Sequence, residues 1–273
     1  MKIAQFHENG RIRLGLIQAD AMTPLVFAGD MIDFISGDWA TYTLNGKTYT
    51  LDQARLAPPV TRPAKIIGIG LNYRDHAEEQ NAKIPDEPRI FAKFATTLIG
   101  HNDPITWERS VTDQVDYEAE LAVVIGRTVK NCPESEALKA VFGYTCANDV
   151  SARDIQLTKG QLVRGKSPDT FCPLGPWIVT ADEIPDPGAL KVQCRLNGAL
   201  MQDGNTGNLI FSVPNLISFL SRSMTLVPGD IILTGTPKGV GVFRKPPVFL
   251  KNGDEVIVEI EAIGRLVNTC RTA

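Results

Sequence analysis

The stretch DYEAELAVVIG, residues 116–126, places three carboxylates on alternate positions and then continues as an apolar run. Side chains two residues apart in a strand point to the same face, so Asp116, Glu118 and Glu120 would crowd together. Like charges this close repel, and burying an unpaired carboxylate costs several kcal/mol. The stretch therefore predicts a buried strand that begins at a cluster of acids, whose charge must be neutralised by something.

Length and composition bound the class of protein. The chain has 273 residues, 43% hydrophobic and 22% charged, which predicts one large domain or one domain with a small appendage. A net charge of −3 argues against nucleic acid or an anionic membrane as a partner. No apolar run approaches the ~18 residues of a membrane span, and the N-terminus lacks the apolar core of a signal peptide. Five cysteines without a CxxC pair argue against a disulfide framework or a zinc site, so we expect a cytoplasmic protein.

The first sixty residues read as a small β-rich domain. Asn-Gly between alternating runs indicates a hairpin, and it occurs at Asn9-Gly10 and at Asn45-Gly46. The proline-rich segment 56–65 is typical of a linker or of an ordered crossing segment. We therefore expect a small N-terminal domain over residues 1–60 and a main domain over residues 64–273.

Strands dominate the main domain, and regular βαβ alternation is absent from its pattern. The pattern predicts an α+β fold built on a mixed or antiparallel sheet system. It predicts helices over 74–82, from Pro133 and over 213–224, a hairpin at Asn197-Gly198, and an exposed, mobile loop over 83–88. The predicted strands cover 65–73, 141–150, 230–235 and, as a closing pair, 254–270.

Neutralising the acids is the chemical problem that the opening stretch raises. A second acidic strand end follows at Asp149, and no basic run lies nearby in the sequence. A hard divalent cation prefers oxygen ligands, so clustered carboxylates with open positions describe a catalytic Mg²⁺ or Mn²⁺ site. Two alternatives stay open: a solvated strand face at a sheet edge, and a structural Ca²⁺ site in a non-catalytic binding module.

His76 is the histidine that we expect to act as a base. Glu79 lies three residues on, within one helical turn, and a carboxylate there fixes the imidazole tautomer and raises its basicity. The pair follows a buried strand and precedes a proline-bearing loop, which favours a gated site. For His7 and His101 we expect surface or structural roles.

Two irregular segments complete the candidate site. Lys166 lies in RGKSPDTFCPLGPW, residues 164–177, where lysines are usually solvated. Residues 234–241 form a glycine-rich turn able to offer backbone N–H donors to an anion. No P-loop and no GxGxxG opening a helix is present, so we expect no nucleotide or organic cofactor.

Five ordered motifs carry a resemblance to a known family. They are GIGLNYRDHAEE (68–79), DYEAELAVVIG (116–126), ANDVSARDIQ (147–156), GKSPDTFCPLGPW (165–177) and PGDIILTGTPKGVG (228–241). In this order they resemble the fumarylacetoacetate hydrolase family over residues 64 to 270, and the length is similar to that of its short, bacterial-type members. The resemblance implies a mixed β-sandwich roll, a small N-terminal domain and a homodimer.

The resemblance also implies roles for individual residues. It places the metal ligands at Glu118, Glu120 and Asp149, with Asp116 supporting them, and a His–Glu pair on a lid at His76 and Glu79. The remaining matches are Lys166 as a catalytic lysine and Arg153, Gln156 and Thr236 as positions that contact the substrate.

These expectations combine into a reaction on a small 2-oxo acid. We expect Mg²⁺ or Mn²⁺, with Ca²⁺ as a possibility, to favour an enolate at C3 of a 2,4-diketo acid. His76 would activate water to break the C3–C4 bond, and Lys166 would stabilise the resulting oxyanion. Hydrolysis comes first because the His–Glu pair supplies a base for water. Oxaloacetate decarboxylation and 2-oxo-dienoate isomerisation or lysis stay open, because they use the same enolate.

Overall fold

The computed structural model describes residues 1–37 and 41–272. Its strands, in chain order, are β1 (Lys2–Glu8), β2 (Arg11–Gln18), β3 (Ala21–Pro24), β4 (Tyr49–Thr50), β5 (Leu56–Ala57), β6 (Ile66–Gly70), β7 (Arg89–Lys93), β8 (Leu98–Ile99), β9 (Ile105–Trp107), β10 (Val115–Asp116), β11 (Ala119–Ile125), β12 (Val141–Asn148), β13 (Ser151–Ala152), β14 (Cys172–Thr180), β15 (Lys191–Leu196), β16 (Ala199–Asn205), β17 (Ile231–Leu233), β18 (Glu255–Ile260) and β19 (Gly264–Thr272).

Helices are short and few beside these strands. The α-helices are α1 (Met31–Ser36), α2 (Arg74–Glu79), α3 (Leu162–Lys166) and α4 (Val213–Ser223), and a π-helical segment covers Asp154–Thr158. The helix expected from Pro133 is a 3₁₀ helix, Glu134–Ala140, with Pro133 as its N-cap. α4 follows the predicted pattern, with Pro214 in its first turn and Ser212 capping the N–H of Asn215.

One large sheet organises the fold. It has 12 strands, and its main path runs β4-β3-β2-β1-β14-β12-β11-β17-β6-β7, while β5 pairs with β1 and β8 with β14. Most pairs are antiparallel, but β17 runs parallel to β6. A 5-stranded sheet, β16-β15-β18-β19-β9, and a 2-stranded pair, β10-β13, complete the system. This arrangement confirms the predicted mixed α+β fold.

The strand that opened the analysis lies at the centre of the molecule. Every residue of β11 is buried, and its side chains alternate between two apolar clusters. Leu121, Val123 and Ile125 pack into one cluster, whereas Ala122 and Val124 pack into the other, which also contains Ile3 and other residues near the N-terminus. A strand covered on both faces reads as a continuous apolar run, which explains AELAVVI.

The first sixty residues match the predictions only in part. The hairpin at Asn9-Gly10 forms, with both residues at positive φ. The hairpin predicted at Asn45-Gly46 is wrong, because Leu44 bridges to Leu25 and β4 pairs with β3. The segment preceding Asn45 and the segment following Gly46 therefore add to the same strand region instead of pairing with each other.

The proline-rich segment 56–65 is an ordered crossing segment and not a free linker. Leu56, Ala57 and Val60 are buried, and β5 pairs with β1. β1 in turn pairs with β14, so the N-terminal strands extend the main sheet. The division into residues 1–60 and 64–273 stays a prediction.

The remaining predicted elements are found. β6, α2, β12, β17, β18 and β19 lie where the pattern placed them, and Asn197-Gly198 turns the β15–β16 hairpin. The segment 83–88 is mostly exposed. Among the described residues, no helix is long and apolar enough to cross a membrane.

Candidate active site

Three acids meet where β11 and β12 run side by side. Glu118 occupies the gap between β10 and β11, Glu120 is the second residue of β11, and Asp149 directly follows β12. The register places Ala119 opposite Asn148, and the Asp149 N–H donates to the Glu118 carbonyl at 2.9 Å. One carboxylate oxygen from each of the three acids can lie within 4.8 Å of the others. The structure thus brings together the three residues predicted as metal ligands.

Buried cations from distant segments surround these acids. Lys166 Nζ donates to Glu118 at 2.7 Å and also to Asp149, and Lys93 Nζ donates to Asp149 at 2.6 Å. Arg153 Nη2 lies 2.7 Å from Glu118 Oε1 as an ion pair without hydrogen-bond alignment. The alternative of a solvated strand face is therefore wrong, because all three acids are buried. Lys166, in turn, is not the solvated lysine that its loop context would indicate.

Burial and charge act differently on the two glutamates. Burial disfavours the charged form of Glu118, but Lys166 and Arg153 outweigh it and hold its pKa below the ordinary value. Burial raises the pKa of Glu120 well above the ordinary value, and the negative charges of Asp149 and Glu118 add to the effect. Burial opposes the charge of Lys166, yet Asp149 and Glu118 raise its pKa.

The donor set fits a hard divalent cation. Four buried carboxyl groups, including Asp116, face three buried cations, so the acids outnumber the cations by one. Among the described residues Glu120 has no ion-pair partner, and its Oε2 accepts the Gly235 N–H at 2.7 Å. Clustered carboxyl oxygens, one of them without a cationic partner among the described residues, are the ligands that Mg²⁺ and Mn²⁺ prefer. Glu118, Glu120 and Asp149 could therefore hold such an ion.

The predicted base lies on α2 beside this cluster. His76 Nδ1 lies 2.8 Å from Glu79 Oε2, and its Nε2 lies 2.7 Å from the side-chain nitrogen of Gln80. A neutral imidazole protonated at Nδ1 satisfies both contacts, donating to Glu79 and accepting from Gln80. The His76 ring also packs at 5.9 Å from that of Phe243. The pair is assembled as predicted, while gating stays a prediction.

The glycine-rich turn, residues 234–241, offers its N–H groups to acids of the protein itself. Gly235 donates to Glu120, Gly239 donates to Glu79 Oε1 at 2.9 Å, and Gly241 donates to Asp116 at 2.7 Å. A Cβ on Gly241 would lie 1.9 Å from the Val248 carbonyl oxygen, so only glycine fits there. The anions predicted for this turn are therefore carboxylates that it holds in place.

The residues predicted to contact the substrate are partly engaged by one another. Arg153 Nε donates to Asp116 at 2.9 Å, and its Nη1 donates to Gln156 at 2.9 Å. Thr236 donates to the Ala119 carbonyl at 3.0 Å and accepts from Gln202 at 2.7 Å. Asp116 contacts Arg153 and the Gly241 turn, so it supports the cluster without joining it.

One cavity of about 230 Å³ connects these groups. Of the nine predicted site residues, those that line it are His76, Glu118, Glu120, Arg153, Gln156, Lys166 and Thr236. The other two lie behind them: Glu79 holds His76, and Asp149 holds Lys166 and Lys93. The cavity is therefore lined by an imidazole, a lysine and two carboxyl groups.

Three residues of the site are missing from the sequence-based predictions. Lys93 is buried in RIFAK, where strand alternation puts it on the same face as Phe91, and this alternation was an available signal. Gln80 lies four residues after His76, on the same helical face. Arg89 also lines the cavity, at the start of β7.

Comparisons with known proteins agree with this architecture. The family model described as fumarylacetoacetate (FAA) hydrolase C-terminal matches residues 65–271, and that described as Rv2993c-like, N-terminal matches residues 1–59. A relative from Bos taurus, named oxaloacetate tautomerase FAHD2B, mitochondrial, is 46% identical over 263 residues, covering 93% of this chain and 83% of the relative.

Two solved structures extend the comparison. The fumarylacetoacetate hydrolase from psychrophilic Exiguobacterium antarcticum is 38% identical, with a TM-score of 0.89 and full coverage of both chains. The 5-carboxymethyl-2-hydroxymuconate delta-isomerase from Mycobacterium smegmatis is 36% identical, with a TM-score of 0.84 and full coverage of both chains. With a family model that matches residues 65–271, the chain belongs to the fumarylacetoacetate hydrolase family.

Proposed function

We propose that this chain catalyses keto–enol tautomerisation of a small 2-oxo acid of the oxaloacetate type, with bound Mg²⁺ or Mn²⁺. The observation that carries the proposal is that an imidazole base, a buried lysine and buried carboxylates line one cavity of about 230 Å³. Such a site suits reactions that pass through an enolate. The name of the Bos taurus relative, an oxaloacetate tautomerase, favours tautomerisation among them.

When bound, the divalent ion would supply Lewis-acid stabilisation of negative charge on the 2-oxo oxygen of the substrate. Glu118, Glu120 and Asp149 would hold it. Lys166 reaches the same place as an ammonium group held by Glu118 and Asp149. A charged donor placed where negative charge develops contributes about 3–4 kcal/mol to catalysis.

Tautomerisation moves one proton from C3 to the 2-oxo oxygen. Because Glu79 holds Nδ1–H of His76, Nε2 is the nitrogen that accepts the C3 proton once the Gln80 amide gives way. The Glu79 carboxylate stabilises the imidazolium that forms. Delivery of the same proton to the 2-oxo oxygen restores the neutral imidazole, so no water is consumed.

Hydrolysis of an acylpyruvate, which the sequence placed first, becomes the second candidate. The neighbour from Exiguobacterium antarcticum is named a hydrolase, and the His76–Glu79 pair would serve water activation equally well. Decarboxylation of oxaloacetate requires the same enolate. A non-catalytic Ca²⁺ module has no support from these relatives, which are all named as enzymes.

The test follows the absorbance of enol-oxaloacetate as it converts to the keto form, with Mg²⁺, with Mn²⁺ and with a chelator. We expect the protein to accelerate the conversion of enol to keto form above the rate in buffer. This acceleration should require the metal and leave the total amount of oxaloacetate unchanged. Parallel assays measure pyruvate released from an acylpyruvate and from oxaloacetate. Pyruvate release from the acylpyruvate without any acceleration of enol decay would replace tautomerisation by hydrolysis.

We also propose that the enzyme works as a homodimer in a cytoplasmic setting, as the family resemblance and the scattered cysteines lead us to expect. Light scattering at micromolar concentration measures the mass of the assembly. A mass equal to the 29.8 kDa of one chain would contradict the dimer.

A further inference from the structure

Strand β7 presents three side chains to the site in a row. Arg89, Phe91 and Lys93 alternate with the exposed residues Ile90 and Ala92, so they share one face. Lys93 contacts Asp149, the Phe91 ring centroid lies 5.1 Å from Lys166 Nζ, and Arg89 lines the same cavity from an exposed position. At ~3.4 Å per residue, the Cα of Arg89 lies about 7 Å further out than that of Phe91.

The neighbouring strand leaves room for this row. β6 pairs with β7 so that Gly68 faces Phe91 and Gly70 faces Arg89. A Cβ on Gly68 would lie 2.1 Å from the Phe91 ring, so the ring occupies the space that a side chain would fill. Arg89 and Phe91 therefore form part of the cavity wall, and Lys93 lies behind that wall in contact with Asp149.

Arg89 differs from the other cations of the cavity in its partners among the described residues. Lys166 is engaged by Glu118 and Asp149, and Arg153 by Asp116 and Glu118. Within residues 1–37 and 41–272, no carboxylate lies within 4 Å of the Arg89 guanidinium. The lining of the cavity also includes the apolar side chains of Leu157 and Leu162.

We propose that Arg89 binds the distal carboxylate of a dicarboxylic 2-oxo acid and thereby selects dicarboxylic over monocarboxylic substrates. This inference rests on the proposed function, because it takes the 2-oxo carboxylate end of the substrate to lie at the acid cluster. A four-carbon diacid spans about 4 Å between its terminal carbons. That span is within the reach of a long arginine side chain that starts about 7 Å beyond Phe91 and folds back along the wall.

Guanidinium chemistry suits this role. Arginine presents planar paired donors that match a carboxylate, and it stays charged at all relevant pH values. A neutral methyl group in the same position of the ligand would instead leave the guanidinium unpaired. The selectivity therefore comes from the distal end of the substrate alone, and binding of the 2-oxo carboxylate end at the metal should not depend on Arg89.

The test compares two ligands that differ only at this end, oxaloacetate and 2-oxobutanoate, whose terminal methyl group replaces the distal carboxylate. Calorimetry on the Mn²⁺-loaded protein gives the ratio of their dissociation constants. We expect the unaltered protein to favour oxaloacetate by about 10- to 100-fold, the range of one charge-assisted hydrogen bond. Arg89→Met should bring the ratio close to one, and Arg89→Lys should retain part of it.

Two controls separate the possible failures. Arg109→Met removes an exposed arginine that does not line the cavity, so the ratio should stay unchanged. Oxalate, which matches only the metal end, should bind equally to the unaltered protein and to Arg89→Met. An unchanged ratio in Arg89→Met, or no preference in the unaltered protein, overturns the role of Arg89. A protein that binds neither oxalate nor either 2-oxo acid overturns the proposed function as well.

Discussion

Replacement of Lys93 by Met tests how the acid cluster is balanced. The Lys93 ammonium has no exposed surface, lies 2.6 Å from Asp149 Oδ1 and also donates to the Val150 carbonyl at 3.2 Å. Met keeps most of the length and the apolar stem but removes the charge. Lys166 remains as a partner of Asp149, so the buried charge is only partly uncompensated, and we expect the free energy of unfolding to fall by about 3 kcal/mol, the lower end of the cost of breaking a buried pair.

The loss should depend on the divalent cation. At about 2–4 °C per kcal/mol for a chain of this size, the metal-free Tm should fall by about 6–12 °C. Lys93→Met also increases the excess of negative charge around Asp149, so a divalent cation should bind more tightly to the variant. We therefore expect Mg²⁺ or Mn²⁺ to raise the Tm of Lys93→Met more than that of the unaltered protein.

Thermal melting with chelator and with each metal provides the assay, and the chain offers a matched control. Lys83 pairs with Asp86 at 3.1 Å, but both side chains are more than 80% exposed. Surface ion pairs contribute little, so Lys83→Met should leave the Tm unchanged. Two results would refute this balance of charge. One is an equal Tm for Lys93→Met and the unaltered protein in chelator, and the other is an equal increase in Tm when Mg²⁺ is added.

Three further predictions concern the same site. Glu120→Ala should stay folded but lose Mn²⁺ binding by calorimetry, because it removes an acid that has no lysine partner; unaltered affinity would exclude Glu120 as a ligand. His76→Ala and Glu79→Gln should each slow tautomerisation by about 10²- to 10⁴-fold while oxalate binding persists. Loss of oxalate binding together with tautomerisation would show that the pair only shapes the cavity. Gly241→Ala should destabilise the protein by about 1–3 kcal/mol in thermal melting, since its methyl group would meet the Val248 carbonyl; an equal Tm would contradict this close approach.

The acids of the site were predictable because these charged side chains adjoin apolar strands that the sequence pattern indicates are buried. Glu118 and Glu120 precede a run that is buried on both faces, and Asp149 ends another buried strand. A carboxylate in such a position needs a partner, so the conflict itself marks a site. The His76–Glu79 contact was predictable for a related reason, since it depends only on helical spacing.

The cations were not predictable from local pattern, because they come from segments far along the chain. Lys93 lies 56 residues from Asp149, and Arg153 lies 37 residues from Asp116. Only the folded sheet brings β7 and α3 to the end of β11. The resemblance to the family named Lys166 as a catalytic lysine and Arg153 as a substrate contact, but it did not reveal that both pair with Glu118 of the cluster.

The failed hairpin at Asn45-Gly46 has a different cause. Local turn chemistry there is favourable, and Gly46 does adopt positive φ. Hydrogen bonding to an existing strand competes with self-pairing, and β3 offers an edge that takes up β4 at Met22 and Ala21. The turn residues therefore correctly indicated a positive φ at Gly46, but the chain continues along β3 instead of reversing.

The three clustered acids are held in three different ways, and this difference determines what each substitution would do. Glu118 shares its charge with Lys166 and Arg153, Asp149 is bound by two lysines, and Glu120 is held by a backbone N–H. Removing a lysine should weaken the fold and strengthen metal binding, because both effects follow from added negative charge. Removing Glu120 should relieve repulsion and weaken metal binding. Stability and metal affinity should therefore change in opposite directions in both kinds of variant, which is the signature of a site whose charge is completed by a divalent cation.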